Sequence, residues 1–163
     1  MDFEFEATLW EWRGPAPFYF LSLPVELAEE INHSMPPYVA RRVQDLLNTQ
    51  SKAVKGSKVL LLGVTYKANI SDKRESPAVP LGQRLLDMGA ELAYFDPHVP
   101  TWGVNGVDVP RTASISQALK ESDVVILVQP HKEFIEAASE ICSSETVVLD
   151  TTGKFTGPNI ERL

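Results

Sequence analysis

Apolar runs that alternate with amphipathic stretches fill residues 56–150 and predict a parallel α/β sheet. The clearest run, Val59 to Leu62, is apolar without interruption, which is typical of a strand buried on both faces. Further strands are predicted at 91–95, 107–110 (a short edge strand), 123–128 and 146–149. Helices are predicted at 78–88, 114–119 and 134–141. This order predicts a doubly wound parallel sheet in three layers with right-handed crossovers, and a tail at 156–163 that frays.

The first 27 residues follow a different pattern and predict a β-hairpin appendage. Apolar and polar residues alternate along DFEFEATLWEW at 2–12, turn-forming residues follow at 13–17, and a second strand is predicted at 18–24. Because an isolated two-stranded hairpin is marginal in water, it is expected to pack on the rest of the chain or on another chain.

A helical segment at 28–55 is predicted to connect this hairpin to the α/β domain, which covers 56–163. We expect a short helix at 25–33, with Ser34 as the N-cap of a second helix. The second helix, 36–52, is amphipathic because its apolar residues recur at helical spacing: Val39, Val43, Leu46 and Leu47. This face is expected to cover the core of the α/β domain.

The loop at 63–77 carries the clearest candidate chemistry. It follows the first buried strand, at the edge where open α/β sheets bind ligands. Lys67, Lys73 and Arg74 lie in it, and Ser76-Pro77 is a typical helix start whose free N–H groups favour anions. The loop therefore predicts an anionic ligand such as a phosphate ester. The alternative is a solvated loop with a weak Arg74–Glu75 surface pair.

The literal residues of this loop, GVTYKANISDKRESPAV at 63–79, resemble the signature of the C-terminal, UDP-binding domain of the UDP-glucose/GDP-mannose dehydrogenase family. The resemblance extends to GAELAYFDPHVP at 89–100 and to 31–48 upstream, and covers about 28–153. It implies a Rossmann-like fold, UDP or a UDP-sugar as ligand, and dimer packing through the 36–52 helix. By the same resemblance, Tyr66 and Lys67 contact the nucleotide sugar, and Arg74 pairs with Glu75 as part of the loop scaffold. The helix start at Ser76 is expected to favour the negative charge of this ligand, because its N–H groups are free.

The opening of the chain resembles a bacterial family of small uncharacterised β-rich domains, and this second resemblance stops near Ile31. The chain thus resembles a fusion of two fragments.

Full-length relatives in the resembled family oxidise a sugar alcohol with NAD and a catalytic Cys. No G-x-G-x-x-G follows a predicted strand, so a pyrophosphate cradle for NAD is not expected in this chain. Nothing near Cys142 would activate a thiol, and no catalytic residue is assigned. Thr152 stands where the family commonly has an Arg, and Lys154 is a candidate substitute.

Two candidate residues follow later strands. Asp96 ends the second strand and could bind a ribose, although a loop-shaping role is the simpler expectation without a glycine fingerprint. His131 could bind a phosphate or lie beside the nucleotide, and its alternative is a structural role.

These features predict a UDP-sugar-binding domain that is inactive alone. The alternatives are a protein-interaction module that has lost its ligand, and one half of an enzyme completed by a separate NAD-binding chain.

Composition and charge limit the kinds of partner and the location that are expected for the chain. The net charge of −7 over 163 residues argues against nucleic acid and anionic membranes as partners. No apolar stretch approaches the roughly 20 residues of a membrane span. The acidic start and the single Cys142 favour the cytoplasm, and no residue cluster has metal-ligand spacing.

Overall fold

The computed structural model describes residues 9–12, 18–21 and 25–163, with side chains from His33 onward. The chain divides into two compact units, Met1–Met35 and Pro36–Leu163. In the first unit, β1 (Leu9–Trp12) pairs antiparallel with β2 (Phe18–Leu21), as the alternating pattern predicted. The predicted turn at 13–17 lies outside the described residues.

A single helix, α1 (Val25–Thr49), replaces the two helices expected on either side of Ser34. Pro36 and Pro37 lie inside it, although each removes one backbone hydrogen bond. The prediction of a break was wrong because a Ser shortly before Pro is only a local cap preference, which the surrounding structure can override. The predicted apolar stripe is confirmed, since Val39, Ala40, Val43, Leu46 and Leu47 are all buried.

The second unit contains seven strands and four further helices. The strands are β3 (Lys58–Leu62), β4 (Glu91–Phe95), β5 (Trp102–Val104), β6 (Val107–Val109), β7 (Val124–Leu127), β8 (Val147–Asp150) and β9 (Ile160–Arg162). The helices are α2 (Ala78–Asp87), α3 (Ile115–Glu121), α4 (Lys132–Glu136) and α5 (Ala138–Ser143). Five strands form one parallel sheet in the order β4-β3-β7-β8-β9. The predicted α/β architecture is therefore confirmed.

Both faces of the sheet centre are buried, which gives the predicted three layers. Leu60, Leu62, Val125 and Leu127 of one face pack in a core cluster with residues of α3, α4 and α5. Val59, Leu61, Val124 and Ile126 point to the other face and are at most 1% exposed. The uninterrupted apolar runs of β3 and β7 reflect this burial on two sides.

The fifth strand of the sheet, β9, was not predicted, and the expectation that 156–163 frays was wrong. Ile160 pairs with Val148 of β8, so β9 forms the sheet edge. The Arg162 guanidinium also donates to the Phe155 carbonyl, from Nε at 3.1 Å and from Nη2 at 2.7 Å. β9 has only three residues and two of them are charged, so the sequence gives little indication of a strand. Its extended conformation is stabilised by pairing with β8.

The predicted edge strand at 107–110 is instead half of a separate hairpin. β6 pairs antiparallel with β5, Trp102 opposite Val109, outside the main sheet. Asn105 and Gly106 form the turn with φ of 48° and 81°. An Asn-Gly turn between apolar residues is a strong hairpin signal, so β5 was recognisable from the sequence.

The helix predicted at 134–141 is two short helices. α4 and α5 meet at Ala137, whose φ and ψ of −86° and 6° depart from helical values. In the described part of the chain, the helices include none that is long and apolar enough to span a membrane.

Candidate functional site

The order of the parallel strands fixes where a ligand can bind. From β3 the chain crosses through α2 to β4 on one side, whereas from β7 it continues to β8 on the other. Strands β3 and β7 are parallel neighbours at the centre of the sheet, and the strands that follow them in the chain are added on opposite sides. In open α/β sheets the crevice outside the carboxyl ends of two such strands is where ligands bind. The loops 63–77 after β3 and 128–131 after β7 line this crevice.

Close packing at Gly63 joins the two loops. Its φ is +81°, and a Cβ added there would lie 2.7 Å from both Cβ and the carbonyl oxygen of Gln129. The Gln129 side chain in turn donates to the Tyr66 carbonyl at 3.0 Å. Only glycine fits this position, both for its left-handed backbone and for its contact with Gln129.

A fully buried polar cluster lies beneath the 63–77 loop. Thr65, Asp96 and His131 are each 0% exposed. Asp96 Oδ2 accepts the Val64 N–H at 2.7 Å, and Oδ1 accepts the His98 N–H at 2.8 Å. His131 Nε2 lies 3.0 Å from Asp96 Oδ2 and 3.3 Å from Thr65 Oγ1. The cluster joins the loops that follow β3, β4 and β7.

The environment of Asp96 stabilises its charged form. Burial by itself would raise the pKa of this carboxyl, but the hydrogen bonds from His131, Val64 and His98 outweigh burial, so the Asp96 pKa is lowered from its ordinary value. Both carboxylate oxygens are satisfied within the protein, and neither faces solvent. This geometry supports the loop-shaping interpretation of Asp96 over a ribose contact.

Asn69 connects the outer part of the loop to His131. The Asn69 N–H donates to His131 Nδ1 at 2.8 Å, and Asn69 Oδ1 accepts the Lys132 N–H at 2.7 Å. Asn69 has a φ of 63°, a left-handed conformation that Asn adopts more readily than most residues. Sequence reasoning missed Asn69, Thr65 and Gln129, because only the folded chain brings the loops after β3 and β7 together.

Tyr66 and Lys67 lie on the exposed side of the same loop. Tyr66 is 48% exposed, and Lys67 Nζ lies 5.4 Å from the centroid of its ring. Their backbone is fixed, because the Tyr66 N–H donates to the Asp72 carbonyl at 2.8 Å and Thr65 Oγ1 donates to the Lys67 carbonyl at 2.7 Å. None of the ion pairs in residues 33–163 includes Lys67.

Arg74 pairs with Asp72, which corrects the predicted Arg74–Glu75 pair. Its Nε and Nη2 donate to the Asp72 carboxylate at 3.0 and 2.8 Å. The Arg74 hydrogen bond lowers the pKa of Asp72 to about 2. Glu75 has a φ of 55°, and this left-handed turn lies between Arg74 and the start of α2. Lys73 is also engaged, with Nζ 3.0 Å from the Thr101 carbonyl.

Ser76 lies just before α2 and is 2% exposed. Its hydroxyl donates to the Thr65 carbonyl and accepts the Ala78 N–H, both at 3.2 Å. The second bond reaches two residues along the chain, as an N-cap bond does. α2 itself begins at Ala78, preceded by Pro77. Ser76 therefore joins the loop to the helix start, and its side chain faces inward.

The remaining candidates lie on the loop after β8, at the same edge of the sheet. Asp150 Oδ1 accepts the N–H groups of Thr152 and Gly153, and its Oδ2 accepts the Phe155 N–H at 2.7 Å. Lys154 is exposed on this loop. Cys142 is a free thiol in α5, partly buried against the core cluster.

A cleft of about 540 Å³ lies elsewhere in the described part, between α3, α5 and the segment leading into β8. Lys120, Glu140 and Glu145 line it with mixed charge. Because this segment precedes β8, the cleft is at the amino edge of the sheet, opposite the candidate site.

The site does not fit NAD. The connection from β3 to α2 runs from Gly63 to Pro77, far longer than the tight turn of a dinucleotide-binding unit. Asp96, at the position of the ribose-binding acid, is turned inward and fully buried. The site instead offers an exposed aromatic ring beside an unpaired cation.

Comparison with known proteins decides the family. A model described as "UDP-glucose/GDP-mannose dehydrogenase family, UDP binding domain" matches residues 60–156. The chain belongs to this family, and residues 60–156 are its UDP-binding domain. A second model, a domain of unknown function (DUF1905), matches residues 5–74. It agrees with the resemblance of the opening residues and runs past Ile31, where that resemblance was expected to stop.

Relatives with similar sequences are named as nucleotide-sugar dehydrogenases. The UDP-N-acetyl-D-mannosamine dehydrogenase of Methanococcus maripaludis is 30% identical over 133 residues, which cover 78% of this chain and 29% of that protein. The Campylobacter jejuni enzyme of the same name is 32% identical over 120 residues, covering 71% and 28%. The chain thus spans less than a third of the length of these relatives.

Solved structures agree in fold. The UDP-N-acetyl-mannosamine dehydrogenase Cap5O from Staphylococcus aureus is 28% identical with a TM-score of 0.62, and the match covers 82% of this chain and 30% of that one. The UDP-D-ManNAc dehydrogenase from Pyrococcus horikoshii has a TM-score of 0.69 at 20% identity, covering 83% and 32%. At 20% identity the second likeness establishes the fold alone.

Proposed function

We propose that the 63–77 loop of this UDP-binding domain holds the UDP portion of a nucleotide sugar, with Tyr66 and Lys67 as its contact surface. The observation that carries the proposal is the exposed Tyr66 ring beside the unpaired Lys67, on a loop whose base is fixed by buried hydrogen bonds. An exposed ring offers a packing surface for a planar base or a sugar. A cation without a carboxylate partner is available to a phosphate.

Arg74 and the start of α2 extend this surface in the proposal. The Arg74 side chain is 86% exposed although it pairs with Asp72, so it can share its guanidinium with an incoming anion. Ser76 acts by fixing the amino end of α2, whose free N–H groups favour negative charge. Lys154, on the loop after β8, is proposed as a second cation for the sugar or phosphate side.

Asp96 and His131 are assigned a supporting role in the same proposal. Both are fully buried and bonded within the protein, so they hold the loop and do not contact the ligand. We also propose the boundaries 1–27 for the hairpin appendage, 28–55 for the connecting helix and 56–163 for the nucleotide domain.

Dehydrogenase activity is proposed to need residues outside this sequence. The NAD-dependent oxidation carried out by members of the family requires a pyrophosphate cradle and a reactive thiol, and the candidate site supplies neither. We infer that these 163 residues bind the nucleotide sugar and do not oxidise it alone. A separate chain carrying the NAD domain is one way to complete the enzyme.

Dimerisation through α1 remains a prediction and is the main rival function. Its apolar stripe is already buried within this chain, from Val39 to Leu47, which leaves Tyr38, at 47% exposure, as the large apolar side chain available on this part of the helix. A cytoplasmic location also remains a prediction.

The proposal is tested by titrating the chain with UDP while following backbone amide shifts by NMR. Saturable shifts are expected at 63–77, with a dissociation constant that reaches the millimolar range, about −4 kcal/mol, because a single domain supplies only part of the family's contacts. Lys67→Ala should weaken binding at least roughly tenfold, by loss of a charge-assisted bond to phosphate.

Lys120→Ala is the matched control. It removes the same charge from α3, at the opposite edge of the sheet, and should leave the UDP titration unchanged. Shifts that spread over the surface, or an equal loss in both variants, would indicate general charge attraction. No shift at millimolar UDP would contradict the proposal and favour the interaction module.

A further inference from the structure

His131 is buried where the 63–77 loop meets the loops after β4 and β7, and its two ring nitrogens have different partners. Nδ1 faces the backbone N–H of Asn69 at 2.8 Å. Nε2 faces Asp96 Oδ2 at 3.0 Å and Thr65 Oγ1 at 3.3 Å. The His131 side chain is 0% exposed, so bulk water does not reach either ring nitrogen in this structure, whereas Asn69 lies on the exposed side of the loop.

These partners fix the protonation state of the ring. The Asn69 N–H can only donate, so Nδ1 must present its lone pair. The Thr65 hydroxyl gives its hydrogen to the Lys67 carbonyl at 2.7 Å, so its oxygen accepts from Nε2, as the Asp96 carboxylate does. All three contacts therefore require one state: a neutral imidazole with its proton on Nε2.

A second proton on His131 has no acceptor. Nδ1–H would point at the Asn69 N–H across 2.8 Å, and two donors at that distance repel. The bond from the Lys132 N–H to Asn69 Oδ1 holds the same residue in place, so Asn69 cannot turn a carbonyl toward the ring without breaking it. Protonation is accommodated only if the outer loop moves away.

The charged and titratable groups around His131 do not provide an acceptor for a second proton on its ring. The Asp96 carboxylate attracts a proton to the ring but is already satisfied by Nε2–H. The His98 ring lies 4.9 Å away between centroids, and its Nε2 faces Glu133 at 3.7 Å. From α4, the Phe134 ring lies 5.4 Å away and is apolar, while Lys132 Nζ points to Glu136 at 3.4 Å. These groups offer Nδ1–H no acceptor.

We propose that His131 is a positioning residue that holds the nucleotide loop through its unprotonated Nδ1, so that protonation of His131 releases the loop and weakens nucleotide binding. The inference rests on the proposed function, because the nucleotide is assigned to Tyr66 and Lys67 of the same loop. Asn69 lies two residues beyond Lys67, and its hydrogen bond to His131 holds this part of the loop against the edge of the sheet. The protonation state of His131 would therefore regulate the position of the loop.

Two substitutions at His131 distinguish the role of Nδ1 from that of Nε2. In His131→Asn the side-chain carbonyl takes the place of Nδ1 and accepts the Asn69 N–H at every pH. In His131→Gln the longer amide reaches toward Asp96 but leaves the Asn69 N–H without an acceptor. A role in folding alone would affect both variants alike, whereas the proposed role requires the acceptor at Nδ1.

The first measurement needs no nucleotide. Hydrogen exchange of the Asn69 amide, corrected for its intrinsic pH dependence, is followed by NMR over the range in which imidazoles titrate. We expect protection in the native chain that is lost as the His131 ring protonates, protection at all pH values in His131→Asn, and none in His131→Gln. The ¹⁵N signals of His131 in the native chain report tautomer and protonation directly, so the test stands even if a variant fails to fold.

The second measurement is the UDP dissociation constant over the same range. Loss of one hydrogen bond to the loop is expected to weaken binding roughly fivefold to tenfold in the native chain on acidification. His131→Asn should show only the pH dependence of the UDP phosphates themselves, and His131→Gln should bind at the weakened level throughout. The comparison with His131→Asn removes the contribution of UDP.

Three results would overturn the inference. One is a neutral His131 with its proton on Nδ1, another is an Asn69 amide that stays protected after the ring protonates, and the third is the same UDP profile in the native chain and in His131→Asn. If no chain binds UDP while Asn69 exchange follows the expected pattern, the nucleotide function fails together with the affinity part, and the loop contact itself is upheld.

Discussion

Asp96→Asn tests how much of the stability of this domain depends on one buried carboxylate. Asp96 accepts three hydrogen bonds, from the N–H groups of Val64 and His98 and from His131 Nε2. The amide has the same shape, but one of its two ends must donate. The least costly orientation turns the new NH₂ toward the His98 N–H, which removes one bond, and leaves the other two bonds with a neutral acceptor.

The expected cost is about 4 kcal/mol in the free energy of unfolding. Losing a hydrogen bond to a charged group costs about 2 kcal/mol, and each bond weakened from a charged to a neutral acceptor costs about 1 kcal/mol. The fully buried position prevents water from compensating. For a chain of this length the melting temperature should fall by roughly 10 °C.

Urea denaturation of the native chain and of Asp96→Asn measures this cost. Asp45→Asn, an exposed position on α1, is the control and should change stability by less than about 0.5 kcal/mol. The cost should also depend on pH. Because folding lowers the pKa of Asp96, its contribution is present above the unfolded value of about 4 and is lost as pH falls through the folded value. A cost below about 1 kcal/mol at neutral pH, or one that does not shrink in acid, would refute the argument.

Two glycines and one aromatic ring give further expectations. Gly63→Ala and Gly106→Ala both place a side chain at a φ of +81°, which costs about 1 kcal/mol each, but only Gly63 would also bring Cβ within 2.7 Å of Gln129. Gly63→Ala should therefore be at least about twice as destabilising in urea, and equal costs would contradict the close packing of the two loops. Phe134→Ala should cost about 3–5 kcal/mol, because the ring is fully buried beside His131. The exposed neighbour Ile135→Ala should cost far less in the same assay, and a similar loss in both would show that α4 is not anchored by Phe134.

Most of the fold could be predicted from the spacing of apolar and polar residues along the sequence. Buried parallel strands must be apolar on both faces, so β3 and β7 were visible as uninterrupted apolar runs. The β5–β6 hairpin was missed although its Asn-Gly turn is a strong signal, whereas the other misassignments occurred where the local signal was weak or ambiguous. β9 is short and charged and exists through its pairing with β8, while the residues of α4 and α5 read as one helix because nothing in their types marks the change at Ala137.

The candidate site divides in the same way. Tyr66, Lys67, Arg74 and Ser76 could be proposed from the sequence because they lie close together in it and within a family signature. The partner of Arg74 was misassigned, since Asp72 and Glu75 are both close in sequence and only the left-handed turn at Glu75 decides between them.

The sequence by itself determined the fold class, through apolar runs spaced over residues 56–150, and the family, through signature residues that are neighbours in the chain. It also singled out the 63–77 loop as the proposed nucleotide loop. Only the tertiary structure decided what holds that loop. Asn69 and His131 are separated by 62 residues, and Val64 and Asp96 by 32. The strand order brings the carboxyl ends of β3, β4 and β7 to one edge of the sheet. Polar groups that are buried there must find hydrogen-bond partners within the protein, and local sequence patterns do not show which partners those are.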